Sequence, residues 1–302
     1  MKFLIIGTGG TGGSIGGFLA LNNHDVTFIA RGAHLEEMKK NGLKLRSGLK
    51  GDIRIPNIKA CEGDEYNDKA DVIFVCVKSY SIDEIIPLIR RASHSNTIVI
   101  PVLNGIGIGD KIYDSFNDAL ILDGCIYIVA YVVSPGEIAQ DGGFFKIVFG
   151  ERENQKVPDG KMEELKEVLE ACGIKAEVSD NIKHDTMQKY SFISPFASCG
   201  VYYDITAKDM QHDGEYRQMF IKLFNEIKSI SYVMGIKLKT NIEDNLKILD
   251  KLTLDATASL QKDFKAGKRT EIDGLIFEVV RLSEKYNVSV PNYKMIAKKL
   301  GY

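Results

Sequence analysis

Residues 2–21 read KFLIIGTGGTGGSIGGFLAL. An apolar run, Phe3 to Gly7, comes first, and its Phe and Ile content predicts a buried β-strand. A glycine-rich turn follows, and the apolar stretch after it, through Phe18, Leu19 and Leu21, predicts a helix. A strand, a glycine-rich turn and a helix in this order are typical of the first unit of a dinucleotide-binding α/β fold.

The turn itself has the spacing G-x-G-x-x-G, in Gly7, Thr8, Gly9, Gly10, Thr11 and Gly12. In this pattern the first glycine permits the tight turn, the second lets the backbone approach a pyrophosphate, and the third allows close helix packing. The amino terminus of the helix offers unpaired amides to an anion. The alternative is a glycine-rich turn without a ligand. Its place between a strand and a helix favours cofactor binding.

Further strands and helices alternate over the first 135 or so residues, as expected for βαβ units around a parallel sheet buried on both faces. Runs rich in Val, Ile and Phe predict the strands. The predicted strands are Phe3 to Gly7, Asp25 to Ala30, Val72 to Val77, Thr97 to Leu103, Ile121 to Val133 and Phe144 to Gly150. A helix over Gly160 to Cys172 and a strand over Ile174 to Val178 follow them.

The rest of the chain predicts helices alone, because apolar residues recur there at spacings of three and four. These helices are Thr186 to Ala197, Gly214 to Met234, Asn241 to Leu252, Glu271 to Tyr286 and a last short one near Pro291. We therefore predict an α/β protein with an N-terminal Rossmann-type dinucleotide-binding domain, residues 1–179, and an all-helical C-terminal domain, residues 180–302.

Composition excludes several classes of protein. The 302 residues are 44% apolar and 26% charged, and 39 basic against 41 acidic residues leave a net charge of −2. A chain with this apolar content is not expected to be disordered. Its nearly balanced charge does not create the broad positive potential that nonspecific nucleic-acid binding needs, so small molecules are the expected partners. No apolar run reaches the roughly 20 residues of a spanning helix, and no signal-peptide pattern appears, so we expect a cytoplasmic protein. Scattered cysteines and histidines predict neither a disulfide framework nor a metal site.

The residue after the second predicted strand indicates which nicotinamide cofactor is bound. NAD enzymes usually carry an acidic residue there for the ribose hydroxyls, whereas this chain has Arg31 and no carboxylate before Glu36. An arginine can pair with the 2′-phosphate of NADP, which a carboxylate would repel. This favours NADP (NADPH), with a solvated arginine as the alternative.

Several short motifs, taken together in their order and spacing, resemble those of the ketopantoate reductase (2-dehydropantoate 2-reductase) family nearly from end to end. They are Arg31-Gly-Ala-His-Leu35, Asn41-Gly-Leu43, Val77-Lys78, Leu103-Asn104-Gly105, Lys189 and the stretch from Ser259 to Glu271. The resemblance implies hydride transfer from NADPH to the C2 carbonyl of a 2-oxo acid, most often 2-dehydropantoate to pantoate. It also implies that the helical domain holds the substrate and the catalytic residues. It leaves a monomer or a homodimer open.

The resemblance also implies roles for single residues, each of which has a simpler alternative. Lys189 matches the family's catalytic lysine, and its alternative is a solvated lysine on a helix. Glu271 matches the glutamate that positions the lysine and the substrate, and its alternative is a carboxylate at a helix N-terminus. Asn104 matches a residue that binds the substrate or the nicotinamide ribose, but Asn-Gly also suits a tight turn. Lys78 matches a cofactor contact, and Ser259 a substrate contact; a solvated lysine and a local backbone hydrogen bond are their alternatives.

Two positions depart from the family pattern. Ketopantoate reductases have asparagines four and eight positions after the catalytic lysine, where they bind the substrate hydroxyl and carboxylate, and this chain has Ile193 and Ala197. An apolar surface at these substrate-binding positions suits relatives that act as D-2-hydroxyacid dehydrogenases on branched or aromatic 2-oxo acids, some of them with NAD. A protein that senses dinucleotides without catalysis is the third possibility, because fold alone does not give function.

Overall fold

The computed structural model describes residues 1–302 of the chain. Contacts between Cα atoms divide it into two compact units, one made of Met1–Leu103 and Gly107–Ile182, the other of Asn104–Ile106 and Lys183–Tyr302. The short segment Asn104–Ile106 thus belongs to the second unit although both its sequence neighbours belong to the first. No helix of the structure combines the length and the apolar character needed to cross a membrane.

The first unit contains eleven strands and five helices. The strands are β1 (Lys2–Ile6), β2 (Asp25–Ile29), β3 (Leu43–Ser47), β4 (Gly51–Ile55), β5 (Lys59–Cys61), β6 (Val72–Val75), β7 (Ile98–Pro101), β8 (Leu120–Ile121), β9 (Asp123–Ser134), β10 (Glu137–Gly150) and β11 (Lys175–Val178). The helices are α1 (Gly10–Leu21), α2 (Gly32–Asn41), α3 (Ile82–Ala92), α4 (Ile108–Ser115) and α5 (Lys161–Ala171). The predicted α/β class of this part of the chain is confirmed.

Six strands form a parallel sheet in the order β5-β2-β1-β6-β7-β8. The strand order changes direction between β1 and β6, and ligands of open parallel sheets bind beyond the carboxyl ends of the strands at such a point. The turn after β1 therefore lies where ligands of such sheets bind.

A second sheet, which the sequence did not predict, has the order β11-β10-β3-β4, with β9 antiparallel to β10. The prediction of a single strand over residues 121–133 was wrong in detail, because β8 ends at Ile121 in the first sheet and β9 begins at Asp123 in the second. The two strands serve different sheets, so the chain must break its strand geometry between them.

Helix α1 packs against both sheets through glycines other than the three that the G-x-G-x-x-G spacing itself requires. A Cβ atom on Gly10 would lie 2.4 Å from the Ala130 backbone of β9, and one on Gly16 would lie 2.3 Å from the Phe28 ring of β2. Because any side chain at these positions would collide with a strand, the extra glycines are explained by close packing on two sides.

The second unit is helical, as predicted. Its helices are α6 (Ile182–Tyr203), α7 (Ala207–Gln211), α8 (Glu215–Val233), α9 (Ile242–Asp250), α10 (Ser259–Lys265), α11 (Glu278–Lys285) and α12 (Pro291–Lys299). A π-helical turn, Asp273–Phe277, leads directly into α11. Pro291 is the first residue of α12, where its missing N–H has no helical partner to lose.

Candidate active site

The turn between β1 and α1 is fixed to the end of β2. Gly7 has φ +96°, which favours glycine. The backbone N–H groups of Gly7 and Thr8 donate to the Ile29 carbonyl over 3.3 and 3.1 Å, and the Thr8 hydroxyl donates to the same oxygen over 2.9 Å. The turn therefore has a defined shape at the carboxyl edge of the parallel sheet.

The amino terminus of α1 fits the pyrophosphate of a dinucleotide. No side chain caps this end, and its first turn holds no acidic residue. A Cβ atom on Gly9 would meet nothing within 4 Å, whereas one on Gly12 would lie 2.2 Å from the Gly7 carbonyl oxygen. The space over Gly9 and the uncapped amides suit an anion, and Gly12 lets the helix approach the turn.

Two cationic side chains follow the strands on either side of β1. Arg31 is exposed at the N-cap of α2, whose first turn has no acidic residue. Lys78 is half-buried ahead of a 3₁₀ turn, Ser79–Ser81, beyond the end of β6. Since β2 and β6 both pair in parallel with β1, these two residues follow strands that end at the same sheet edge as the glycine-rich turn after β1.

His34 is a neighbour of this region that sequence reasoning did not single out. Its Nδ1 accepts a hydrogen bond of 3.0 Å from the backbone N–H of Gly136, and burial lowers its pKa. The ring is therefore neutral at physiological pH and connects α2 to the turn between β9 and β10. The sequence signal that could have pointed to His34 is its place in the motif from Arg31 to Leu35.

In the second unit, α6 carries the predicted lysine. The Lys189 Nζ donates a hydrogen bond of 2.8 Å to Oδ1 of Asn104, across 85 residues of sequence. Both side chains are half-buried. Because the amide oxygen accepts from the ammonium, the amide nitrogen of Asn104 is the group with donors for a ligand. The structure thus brings together two of the residues predicted for catalysis and binding.

Glu271 lies two residues ahead of the π-helical turn and is 3% exposed. Its carbonyl accepts from the Leu275 N–H over 3.0 Å. The Tyr190 hydroxyl, next to Lys189 in α6, donates to the Gly274 carbonyl over 2.9 Å. A hydrogen bond therefore joins α6, which carries Lys189, to the segment that follows Glu271. No sequence motif indicated this link.

The remaining predicted substrate residues have different surroundings. Ile193 and Ala197 follow Lys189 by one and two turns of α6, so they share a face of the helix with it. Ile193 is half-buried, and Ala197 is fully buried in the core of the unit. Ser259 is exposed at the first residue of α10.

Comparison with known proteins agrees with this arrangement. Residues 3–154 match the family model described as ketopantoate reductase PanE/ApbA, and residues 181–301 match the model of the C-terminal part of the same family. The chain belongs to the ketopantoate reductase family. Ketopantoate reductases bind a nicotinamide dinucleotide, and this family member is an oxidoreductase.

Three other proteins are similar to this chain over nearly its whole length. An oxidoreductase of Bacillus subtilis, YkpB, is 27% identical over 96% of this chain and 95% of its own length. The 2-dehydropantoate 2-reductase of Aquifex aeolicus is 23% identical over 99% and 95%. A solved structure of D-mandelate dehydrogenase with NADH and anilino(oxo)acetate has a TM-score of 0.87 at 21% identity and covers 99% of this chain and 96% of that one. The last shares the fold.

Proposed function

We propose that this protein reduces the C2 carbonyl of a 2-oxo acid with NADPH, with 2-dehydropantoate as the first candidate substrate. The observation that carries the proposal is the hydrogen bond of 2.8 Å between Lys189 Nζ and Asn104 Oδ1, since it holds an ammonium donor at a defined position. When bound, the reduced nicotinamide supplies a hydride to C2. The carbonyl oxygen then needs a proton, and the protein must provide it.

Lys189 is the proposed proton donor. Its ammonium polarises the substrate oxygen and stabilises the negative charge that develops there, then gives up one proton so that the alcohol forms. Asn104 orients the ammonium with its amide oxygen and donates from its amide nitrogen to the substrate or the nicotinamide ribose. Glu271 positions the lysine and the substrate, and Ser259 binds the substrate carboxylate or hydroxyl.

The proposed cofactor site of the first unit consists of the turn Gly7–Gly12 with Arg31 and Lys78. The uncapped amides of α1 bind the pyrophosphate. Arg31 binds the 2′-phosphate, and the absence of a carboxylate from the first turn of α2 supports a doubly charged group there.

Arg31→Ala is expected to weaken NADPH binding selectively. Loss of charge-assisted hydrogen bonds costs about 1.5 to 3 kcal/mol, roughly a 10- to 100-fold rise in Kd. NADH lacks the phosphate, so its Kd should change little. Titration of both cofactors by fluorescence measures this. An equal change for NADPH and NADH, or a native preference for NADH, would show that Arg31 does not have this role.

A second candidate function is reduction of branched or aromatic 2-oxo acids. Ile193 and Ala197 present no hydrogen-bonding groups one and two turns beyond Lys189, and a substrate hydroxyl buried without a partner costs about 1 to 3 kcal/mol. Apolar side chains gain roughly 25 cal/mol per Å² covered. The fold shared with D-mandelate dehydrogenase, solved with NADH and an aromatic oxo acid analogue, makes this substrate class and NADH worth testing.

A panel of 2-oxo acids assayed with NADPH and NADH tests both candidates. We expect turnover with 2-oxo acids and kcat/KM for branched or aromatic substrates that equals or exceeds that for 2-dehydropantoate. A value for 2-dehydropantoate at least about tenfold above every apolar substrate would restrict the enzyme to the first candidate. Cofactor binding without turnover of any 2-oxo acid would instead indicate a dinucleotide sensor.

A further inference from the structure

Helix α6 makes buried hydrogen bonds to the segment that follows Glu271. The Tyr190 hydroxyl donates to the Gly274 and Leu275 carbonyls over 2.9 and 3.2 Å. The Ser194 hydroxyl donates to the Leu275 carbonyl over 2.6 Å. Tyr190 is 2% exposed and Ser194 is fully buried, so water does not replace these bonds. Both residues lie directly after a proposed site residue, Lys189 or Ile193.

The direction of these hydrogen bonds is determined by chemistry. A carbonyl only accepts, so the single hydrogen of Ser194 goes to Leu275, and the Tyr293 hydroxyl, 2.6 Å away, must donate to Ser194 Oγ. Burial raises the pKa of both tyrosine hydroxyls, which keeps them protonated. The result is an ordered chain from Tyr293 through Ser194 to Leu275.

The backbone that receives these bonds is the π-helical turn Asp273–Phe277. π-Helical turns interrupt the regular hydrogen bonding of an α-helix and occur frequently at functional sites. Leu275 is bonded on both sides: its carbonyl accepts from Ser194 and Tyr190, and its N–H donates to the Glu271 carbonyl over 3.0 Å. A displacement of Leu275 would therefore displace Glu271.

The far end of the chain of hydrogen bonds is held by a buried carboxylate. Glu226, 7% exposed, accepts from the backbone N–H groups of Asn292 and Tyr293 over 2.9 and 3.0 Å at the start of α12. This cap fixes the position of Tyr293. Residues of α8 and α12 thus support the Ser194 hydroxyl of α6, which bonds to the Leu275 carbonyl.

We propose that Tyr190 and Ser194 are positioning residues that hold Glu271 in place relative to Lys189 through the backbone of Leu275. The inference rests on the proposed function, since it assigns these residues to the same reaction. They touch neither substrate nor cofactor and act through Glu271 alone. Their effect on turnover should therefore require the Glu271 carboxylate.

The test is a double-mutant cycle between the two hydroxyls and Glu271. The variant with Tyr190→Phe and Ser194→Ala should lower kcat by up to about 100-fold, as expected for a catalytic group misplaced by about an ångström, while the Kd of NADPH is unchanged. In a Glu271→Gln background the same two substitutions should lower kcat by less than about threefold. An equal loss in both backgrounds would overturn the proposal.

Ser283→Ala is the matched control, because it removes a buried serine hydroxyl that bonds only within α11, to Val280. It should leave kcat at the native value. If Glu271→Gln itself retains native turnover, Glu271 does not position the lysine or the substrate. The proposal that Tyr190 and Ser194 position Glu271 for this reaction is then overturned as well. If Glu271→Gln is impaired while the Tyr190 and Ser194 variant is not, only the positioning role is wrong.

Hydrogen–deuterium exchange checks the physical link without any turnover. Amides of residues 271–277 should exchange at least about tenfold faster in the Tyr190→Phe, Ser194→Ala variant than in the native protein or Ser283→Ala, because the carbonyls of this turn lose their partners. Unchanged exchange in this segment would overturn the link even in an enzyme whose substrate differs from those proposed.

Discussion

Lys189→Ala is expected to lower kcat by roughly 10² to 10⁴-fold, the range for loss of a general acid that acts in the transition state. The Kd of NADPH should change little, because the lysine acts on the substrate oxygen rather than on a phosphate. Asn104 would also lose the ammonium that now donates to its Oδ1 over 2.8 Å. Steady-state kinetics together with a cofactor titration separates the two effects.

The matched control is Lys247→Ala, which removes an exposed lysine paired with Asp244 on α9. It should leave kcat and stability unchanged, since surface ion pairs contribute little. Glu271→Ala should be milder than Lys189→Ala in kcat and should raise KM. Near-native turnover by Lys189→Ala would mean that another residue donates the proton. The proposed mechanism would then lose its main chemical support.

The parallel sheet could be predicted because its central strands are continuous apolar runs. Every residue of β6 and β7 is buried, and such strands stand out by composition alone. The hairpin β3–β4 could not be predicted from the sequence. Strand β3 alternates buried and exposed residues, but over only five positions, which is too short a pattern to stand out. Its pairing partner, β10, lies far along the chain, and register between such distant segments is set by packing rather than by local pattern.

The candidate site shows the same division. The glycine pattern Gly7–Gly12 and Arg31 could be found because a local turn and a strand end determine their positions. The contact of Lys189 with Asn104 could not be derived without the family resemblance, since it joins residues 85 positions apart. Tyr190 and Ser194 carried one signal: both have hydroxyl groups and they are four residues apart, so they lie on one face of the helix.

Gly9→Ala is expected to abolish most cofactor affinity while leaving the fold intact. Gly9 has φ −81°, a value open to alanine, and a Cβ atom there would meet nothing within 4 Å of the protein. The change should therefore cost at most about 1 kcal/mol of stability, the penalty for alanine at an N-cap. The methyl group would instead occupy the space that a pyrophosphate needs to reach the amides of α1.

Two other glycines make this prediction selective. Loss of two charged hydrogen bonds, at about 1.5 kcal/mol each, corresponds to roughly a 100-fold rise in the Kd of NADPH for Gly9→Ala. Gly143→Ala, at an exposed site with equal open space, should change neither Kd nor Tm. Gly12→Ala should lower Tm as well as affinity, because its Cβ would lie 2.2 Å from the Gly7 carbonyl oxygen. Native NADPH affinity in folded Gly9→Ala would mean that the cofactor does not approach the backbone at this turn, since no protein atom competes for that space.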